Sequence, residues 1–301
     1  MALQLADLKK FQNLEFLSKQ LVEGFITGLH KSPFHGFSVE FAEHKLYNYG
    51  ESIRHMDWKL YSRTDRLYTK QFEEETNLRA HLVIDTSSSM YYPSPGYDKI
   101  KFSIYTAAAL CHIMIRQRDA VGLTAFSEGI QFQTRQRSTR LHLNNLLGVM
   151  EECLQPPKES NRATKIAEVL HLLAEKVHKR SLVILFTDLF SQESTDEVYA
   201  ALQHLKHKKH EVLLFQVNAR ATEEWFGFED RPCEFIDVET NQSLKVNPFL
   251  IKDQYKKTMQ DIFQEAKYRC GRLKVDFIEA DSADPFDKLL MAYLIKRNRM
   301  V

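Results

Sequence analysis

Hydrophobic residues follow two different rhythms along the chain. Leucines recur at helical spacing through residues 5–22, which predicts an amphipathic helix whose end is weakened by Gly24 and Gly28. From residue 79 onward, short apolar runs without polar alternation are separated by longer segments with helical spacing. Because such runs are typical of strands buried on both faces, the pattern predicts an α/β fold with a mainly parallel sheet and helices on both faces.

The apolar runs place the individual elements. The predicted strands of the sheet are 82–84, 121–126, 130–134, 182–186, 212–217 and 273–278. The predicted helices around it are 98–118, 141–154, 165–177, 195–205, 248–270 and 285–297. Before residue 79 the pattern is less regular, with strands predicted at 37–41 and 67–72 and a loop at 47–52.

A β-hairpin is predicted to interrupt the alternation of strands and helices near residues 221–250. Segments 233–238 and 243–246 have the composition of strands and flank a short polar stretch. The chain is therefore predicted to consist of an N-terminal helix and extension, residues 1–78, packed on a main domain, residues 79–301. The hairpin is an insertion in that main domain.

Composition and charge argue against several classes of protein. The formal net charge of +1 gives no general attraction to nucleic acid or to an anionic membrane. The longest nearly apolar run, residues 102–115, is shorter than the roughly 20 residues that span a bilayer, so a buried helix is expected there. The N-terminus lacks the pattern of a signal peptide. The four cysteines form no C-x-x-C pair, which argues against a zinc site or disulfide scaffold and favours the cytoplasm.

Oxygen-bearing side chains gather at the predicted strand ends. An acid and two alternating hydroxyls come directly after the first buried strand, a second acid follows the strand at 182–186, and a threonine precedes the helix at 165–177. Ligands in open α/β sheets bind beyond the carboxyl ends of the strands. Two carboxylates and three hydroxyls suit Mg²⁺ or Mn²⁺. The candidate metal ligands are Asp85, Ser87, Ser89, Thr164 and Asp188.

The formal charge of this set predicts how it would be used. Two carboxylates, partly acting through water, leave a divalent cation under-neutralised. An Asp or Glu from another protein would then complete the coordination shell. That arrangement holds a partner and needs no catalytic base.

Helix capping is the alternative explanation for each member of the set. Ser87 or Ser89 would cap the helix after the first strand, Thr164 the helix at 165–177, and Asp188 the helix that follows it. If capping were their only role, the protein would be a structural scaffold with an empty site.

These residues and their surroundings resemble a mostly bacterial family called "domain of unknown function 58", whose members carry a von Willebrand factor A-like, Rossmann-like domain. The D-x-S-x-S spacing from Asp85 to Ser89 is similar to the pattern that opens the metal-ion-dependent adhesion site of that fold. An earlier segment resembles the family's Y-x-x-G-D-D-x-R-x-I-D-W pattern. The matching residues there are Tyr47, Gly50, Arg54, Asp57 and Trp58. The resemblance covers residues from about 30 to 298.

The chain departs from the family pattern at two places. Glu51 and Ser52 stand where the family has two acids, and the loop 160–164 lacks the paired glycines usual before the threonine. The block of Asp57 and Trp58 has two interpretations. It would either tie the N-terminal segment to the main domain or form a docking surface for a partner.

The resemblance implies a protein-interaction module that is not an enzyme. Family members often occur beside MoxR-type AAA+ ATPases, which implies an adaptor or co-chaperone role with such an ATPase. The expected partner is therefore the ATPase or its client, offering an Asp or Glu to the metal. Neither a nucleic-acid partner nor a membrane span is expected.

Three classes of enzyme fit the sequence poorly. A phosphotransferase with Asp85 as nucleophile would carry a second acid where Ser87 stands. The sequence has neither a P-loop nor a dinucleotide-binding motif. Residues 125–129 miss the G-x-S-x-G pattern of serine hydrolases, and they lie between two predicted strands, whereas the elbow needs a strand and a helix. A metal-dependent phosphate-ester hydrolase using Asp85 is the remaining alternative function.

Overall fold

The structure is a computed structural model that forms two compact units. One unit comprises Met1–Ile26 with Leu78–Val301, and the other comprises Thr27–Asn77. The residues described are 14–30, 44–46, 58–65, 67–70, 78–93, 96, 98–156, 165–189, 193–229, 231–237 and 242–300. Thr164 and residues 37–41 and 47–52 lie outside these ranges, so the predictions made for them stay predictions.

Helices and strands alternate through most of the chain. The helices are α1 (Leu14–His30), α2 (Trp58–Thr64), α3 (Asp98–Arg116), α4 (Arg140–Glu152), α5 (Ile166–Lys176), α6 (Thr195–His207), α7 (Arg220–Glu223), α8 (Pro248–Arg272) and α9 (Asp287–Met300). The strands are β1 (His44–Leu46), β2 (Tyr68–Lys70), β3 (Arg79–Asp85), β4 (Ala120–Phe126), β5 (Ile130–Gln133), β6 (Leu182–Thr187), β7 (Glu211–Asn218), β8 (Cys233–Ile236), β9 (Ser243–Val246) and β10 (Asp276–Asp281).

Six strands form the central sheet, in the order β10-β7-β6-β3-β4-β5. All neighbouring pairs are parallel except β4 and β5, which are antiparallel. The predicted α/β class with a mainly parallel sheet is therefore confirmed. The chain continues from β3 to β4 on one side, whereas β6 pairs with the other side of β3. The strand order thus reverses between β3 and β6, which is where open α/β sheets bind ligands.

The last strand is displaced from its predicted position. Residues 273–278 were expected to form it, but β10 runs over Asp276–Asp281. The first residues of the predicted strand close helix α8 instead, because the amide of Leu273 donates to the carbonyl of Arg269 and that of Val275 to the carbonyl of Cys270. Lys274, at φ 55°, makes the left-handed turn that such a helix end requires.

Helices cover both faces of the sheet, and adjacent residues of each strand point to opposite faces. Leu185 of β6 joins α5 and α6 in one core cluster. Its neighbour Phe186 stacks on Phe215 on the opposite face, with 5.1 Å between ring centroids. Residues around α9 in turn cover helix α3. Phe102 of α3 stacks on Phe286, which directly precedes α9, with 4.9 Å between ring centroids. The predicted buried helix at 102–115 is the central part of α3.

Helix α1 does not weaken at its glycines as the sequence suggested. It continues through Gly24 and Gly28 to His30. Each glycine costs a helix about 1 kcal/mol relative to alanine, a penalty that tertiary packing can outweigh. The packing is visible at the start of the helix, where Leu14, Leu17 and Leu21 are buried.

Within the described ranges, two further pairs of short strands form sheets of their own. In the unit of residues 27–77, β1 pairs antiparallel with β2. Strand β2 lies within the segment 67–72, for which a strand was predicted. The pairing of β8 with β9 confirms the predicted hairpin. No helix in the described ranges is both long and apolar enough to cross a membrane.

Helix α6 follows the edge of the sheet that carries the candidate ligands and begins with a capping box. The amide of Glu197 donates to Ser194 Oγ at 3.3 Å, and the amide of Ser194 donates to Glu197 Oε2 at 3.1 Å. We expect Ser194→Ala to lower the free energy of unfolding by about 1 kcal/mol. Urea titration of both proteins measures this. Ser194→Asp is the control and should keep most of the stability, because aspartate also caps.

Candidate metal centre

Asp85 and Asp188 lie at the carboxyl edge of the sheet, where the strand order reverses. Asp85 is the last residue of β3, and Asp188 directly follows β6. The two strands are neighbours, with Ile84 opposite Phe186. Both carboxylates are buried, Asp85 completely and Asp188 to 1% exposure. The sheet topology therefore brings together two acids that are 103 positions apart in the chain.

Both oxygens of Asp85 accept hydrogen bonds. The amide of Ser87 donates to Oδ1 at 2.9 Å, and Thr187 Oγ1 donates to Oδ2 at 2.7 Å. The hydroxyl of Thr187 in turn accepts the amide of Leu189 at 3.0 Å. Leu189 has φ 61°, so the backbone leaves β6 through a left-handed turn that a leucine rarely adopts. These contacts fix the Asp85 carboxylate on the strand end.

The electrostatic environment of Asp85 disfavours its charge. Burial, first, and the nearby carboxylate of Asp188, second, together raise the pKa of Asp85 to about 7. Hydrogen bonds from Ser87 and Thr187 oppose the increase only in part. Each of two buried carboxylates disfavours the negative charge of the other, so a cation bound between them would be stabilised.

The hydroxyls of the loop after β3 fit an octahedral cation. Ser87 is fully buried, and its Oγ lies 3.1 Å from Ser89 Oγ. Neighbouring oxygen ligands of an octahedral Mg²⁺ with bonds near 2.1 Å are about 3.0 Å apart. Between them, Ser88 Oγ is buried and has no hydrogen-bond partner within the described ranges. An unpaired buried hydroxyl indicates a missing partner such as an ion or a water.

The capping explanation holds for neither strand end. Ser87 is the N-cap of the short 3₁₀ helix Ser88–Tyr91, but its side chain makes no capping hydrogen bond. The cap of helix α6 is Ser194, so Asp188 does not cap the helix that follows it. The capping alternative for Asp188, Ser87 and Ser89 is therefore not supported by their contacts.

The structure does not describe Thr164, so its role as a ligand stays a prediction. The described neighbour Lys165 donates its amide to the carbonyl of Ser127 at 3.0 Å. Sequence reasoning missed Thr187, whose hydroxyl contacts Asp85 directly. The signal was its position, since Thr187 is the last residue of β6 and directly precedes Asp188.

A buried lysine contacts the second acid of the site. Lys99 Nζ donates to Asp188 Oδ2 at 2.9 Å and to Glu223 Oε1 at 2.6 Å, and both Lys99 and Asp188 have fully buried side chains. Burial alone would lower the pKa of Lys99, but Asp188 and Glu223 outweigh it, so the pKa of Lys99 is raised and the ammonium stays charged. One positive charge thus lies between two carboxylates.

Helix α7 and its neighbours hold the third carboxylate of this network. The amide of Ala219 donates to Glu223 Oε2 at 2.6 Å, and Tyr255 of α8 donates its hydroxyl to the carbonyl of Glu223 at 2.8 Å. Lys99 also lies 5.8 Å from the centre of the Tyr92 ring. Sequence reasoning did not single out Lys99 or Glu223. Lys99 is three and seven residues before Phe102 and Thr106, which places it on the buried face of α3.

The carboxylates of the site are too few to bind a hard cation by themselves, so the serine hydroxyls would have to be ligands as well. Within the described ranges, no three histidine, cysteine, aspartate or glutamate side chains are grouped in a way that could hold a metal ion. Asp85 and Asp188 offer carboxylate oxygens, whereas Ser87 and Ser89 offer hydroxyls. An all-oxygen set of this kind matches Mg²⁺ or Mn²⁺ and does not match zinc.

Comparison with known proteins gives a family match over most of the chain. The family described as "Protein of unknown function DUF58" matches residues 43–265. Uncharacterized proteins from Mycobacterium bovis and Mycobacterium tuberculosis are 23% identical to this chain over 206 residues. The match covers 68% of this chain and spans 63% of the length of those relatives.

Solved structures with a similar arrangement share little sequence with this chain. The conserved hypothetical protein BatB from Bacteroides thetaiotaomicron is 16% identical with a TM-score of 0.45, covering 74% of this chain and 99% of that one. An aerotolerance-related membrane protein from Bacteroides fragilis is 14% identical with a TM-score of 0.46, covering 73% and 99%. A von Willebrand factor type A protein from Catenulispora acidiphila is 16% identical with a TM-score of 0.38, covering 51% and 35%.

Proposed function

The chain belongs to the family described as protein of unknown function DUF58, and we propose that it is a protein-interaction module built around a divalent-cation site. Asp85, Ser87, Ser89 and Asp188 would hold Mg²⁺ or Mn²⁺, with Thr164 as a further ligand. The observation that carries the proposal is that two buried, interacting carboxylates, Asp85 and Asp188, lie at neighbouring strand ends, from one of which the serine loop begins. The hydroxyl oxygens of Ser87 and Ser89 in that loop are 3.1 Å apart. The cation would offer an open coordination position to a carboxylate of the partner.

The charge around the site favours an acidic partner. The ammonium of Lys99 partly neutralises Asp188, so the two carboxylates offer a bound cation less than two full negative charges. Octahedral Mg²⁺ takes six oxygens, so one oxygen from each of the five proposed ligands leaves one coordination position open. Water or an incoming Asp or Glu side chain would complete the shell. The role of this chain's residues is to bind and orient the ion, and none of them has to move a proton.

The sequence around Asp85 gives less support to a hydrolase than to a metal site. Each oxygen of Asp85 accepts one hydrogen bond, from Ser87 or from Thr187, and keeps a further lone pair that can bind a cation. Ser87 also stands where a second acid would be needed to protonate a leaving group. We therefore favour holding a ligand over transforming one.

Calorimetric titration of metal-free protein with Mg²⁺ and with Mn²⁺ tests the metal proposal. We expect the wild type to bind one ion, with binding lost in Asp85→Asn and weakened at least about tenfold in Ser87→Ala. Ser18→Ala is a matched control, because this buried hydroxyl donates to the carbonyl of Leu14 within α1. Equal binding by the wild type and Asp85→Asn would refute the site. Turnover of a phosphate ester that depends on Mg²⁺ and Asp85 would favour the hydrolase.

The proposed partner is a MoxR-type AAA+ ATPase or its client, in the cytoplasm, and this part rests on the resemblance described above. Purified ATPase and this protein would be mixed with Mg²⁺ or with a chelator and separated by size. We expect a complex only with Mg²⁺, and none with Asp85→Asn. A complex of equal yield in the chelator would show that the metal does not mediate the contact.

A further inference from the structure

Lys99 occupies a position where it competes with any cation bound at Asp188. Its ammonium donates to Asp188 Oδ2 at 2.9 Å, and both side chains are excluded from solvent. In a buried environment a unit charge a few ångströms away changes a cation's binding energy far more than it does in water. A buried lysine this close to a metal ligand is therefore a determinant of affinity.

Glu223 forms a second ion pair with the ammonium of Lys99. Its Oε1 accepts Lys99 Nζ at 2.6 Å, a shorter contact than the one with Asp188. Burial raises the pKa of Glu223, and Lys99 offsets this only in part, while the amide of Ala219 fixes the second oxygen at 2.6 Å. The carboxylate of Glu223 thus draws part of the lysine's positive charge away from Asp188.

We propose that Lys99 and Glu223 together set the cation affinity of the site, Lys99 by weakening it and Glu223 by strengthening it. The proposal rests on the proposed function, since it concerns the same cation. Removing the lysine's charge takes a competing cation away from Asp188. Removing the charge of Glu223 leaves Lys99 bound more strongly to Asp188, so the ion meets a more positive environment.

The two substitutions consequently have opposite effects on binding of Mg²⁺, whereas a purely structural role would weaken binding in both. Metal-free protein comprising residues 1–301 would be titrated with MgCl₂ alone in a calorimeter. We expect Lys99→Met to bind Mg²⁺ at least about tenfold more tightly than the wild type. We expect Glu223→Gln, which keeps the lysine, to bind about three- to tenfold more weakly.

Lys101→Met is the control for a general change of charge on α3. Lys101 lies two residues further along the helix, where its Nζ donates to the carbonyl of Gly96 at 2.6 Å. It should leave the affinity within about twofold of the wild type, because this contact is to a backbone oxygen and not to a ligand of the site. A tenfold gain in this control would attribute the effect to net charge and overturn the role of Lys99.

The outcomes separate this inference from the proposed function. If the wild type binds Mg²⁺ and both variants bind with unchanged or weaker affinity, the inference is wrong and the metal site stands. If only Lys99→Met binds, the lysine suppresses binding as proposed, and the wild type is not a magnesium protein under these conditions. If no variant binds, both proposals fail. Should Lys99→Met not fold, a Glu223→Gln affinity equal to that of the wild type is sufficient to refute the inference.

Discussion

Replacing Lys99 with Met is expected to lower the free energy of unfolding of the metal-free protein by about 3–5 kcal/mol. The ammonium is fully buried between Asp188 and Glu223, whose side chains are 0% and 15% exposed. A buried ion pair adds little net stability when compared with apolar residues, but removing one partner leaves the other charge without compensation. Here one substitution removes the counter-charge of two carboxylates, Asp188 and Glu223.

Urea unfolding followed by circular dichroism in a chelator measures this loss. Lys208→Met is a matched control, because Lys208 contacts Glu175 at a similar 2.8 Å but in solvent. That variant should unfold at nearly the same urea concentration as the wild type. The double variant with Glu223→Gln should recover part of the stability, since one of the two uncompensated charges is gone. Equal midpoints for Lys99→Met and the wild type would show that the pair is not buried as described.

Acid should destabilise the protein through His81, by about 2 kcal/mol between pH 7.5 and pH 5.0. His81 lies in the middle of β3 with 2% exposure, and its Nε2 is 2.8 Å from Thr124 Oγ1. Gly122 faces it on β4, where a Cβ atom would approach His81 Nδ1 to 2.5 Å. The ring is thus enclosed and has no access to water.

The direction of the effect follows from the proton binding of the two states. Burial, with a contribution from His210, lowers the pKa of His81 from 6.5 to about 3. Below pH 6.5 the unfolded chain binds a proton that the folded protein excludes, so stability falls as the pH falls from 6.5 toward 3. Above 6.5 both states are neutral at this position, and the stability from the neutral ring is fully present.

The comparison of wild type with His81→Gln isolates this residue. The amide of glutamine can replace the hydrogen bond to Thr124 but does not titrate. Asp85 titrates with the opposite sign, because its pKa is raised to about 7 in the folded state, and this contribution is common to both proteins. Urea unfolding at pH 7.5 and 5.0 should show about 2 kcal/mol more loss in the wild type. The exposed His178→Gln should behave as the wild type, whereas a loss of equal size in His81→Gln would contradict the assignment.

Much of the fold was predictable because the strands are buried on both faces. Runs such as 182–186 carry no polar alternation, and all six residues of β6 are buried. The end of α8 was less predictable, since Leu273 and Val275 are apolar residues that suit a strand but close a helix instead. That choice depends on backbone hydrogen bonds, which hydrophobic pattern does not report.

The two acids of the candidate site could be predicted from the sequence, but the buried lysine that interacts with them could not. Asp85 and Asp188 could be identified because each follows an apolar strand, and parallel strands end at the same edge. Lys99 was hidden within a helix whose neighbouring residues are mostly apolar. Its contact with Asp188, 89 positions along the chain, exists only because α3 packs against the sheet.

The sequence by itself determined the class of fold, the strand ends and the oxygen-rich chemistry of this protein, because these depend on local pattern and on residue type. Only the tertiary structure decided that Asp85 and Asp188 share one buried edge, and that Lys99 and Glu223 join them. The physical reason is that pairing across β3 and β6 and packing of α3 bring together charges far apart in the chain. Their interaction is strong only because the fold removes them from water.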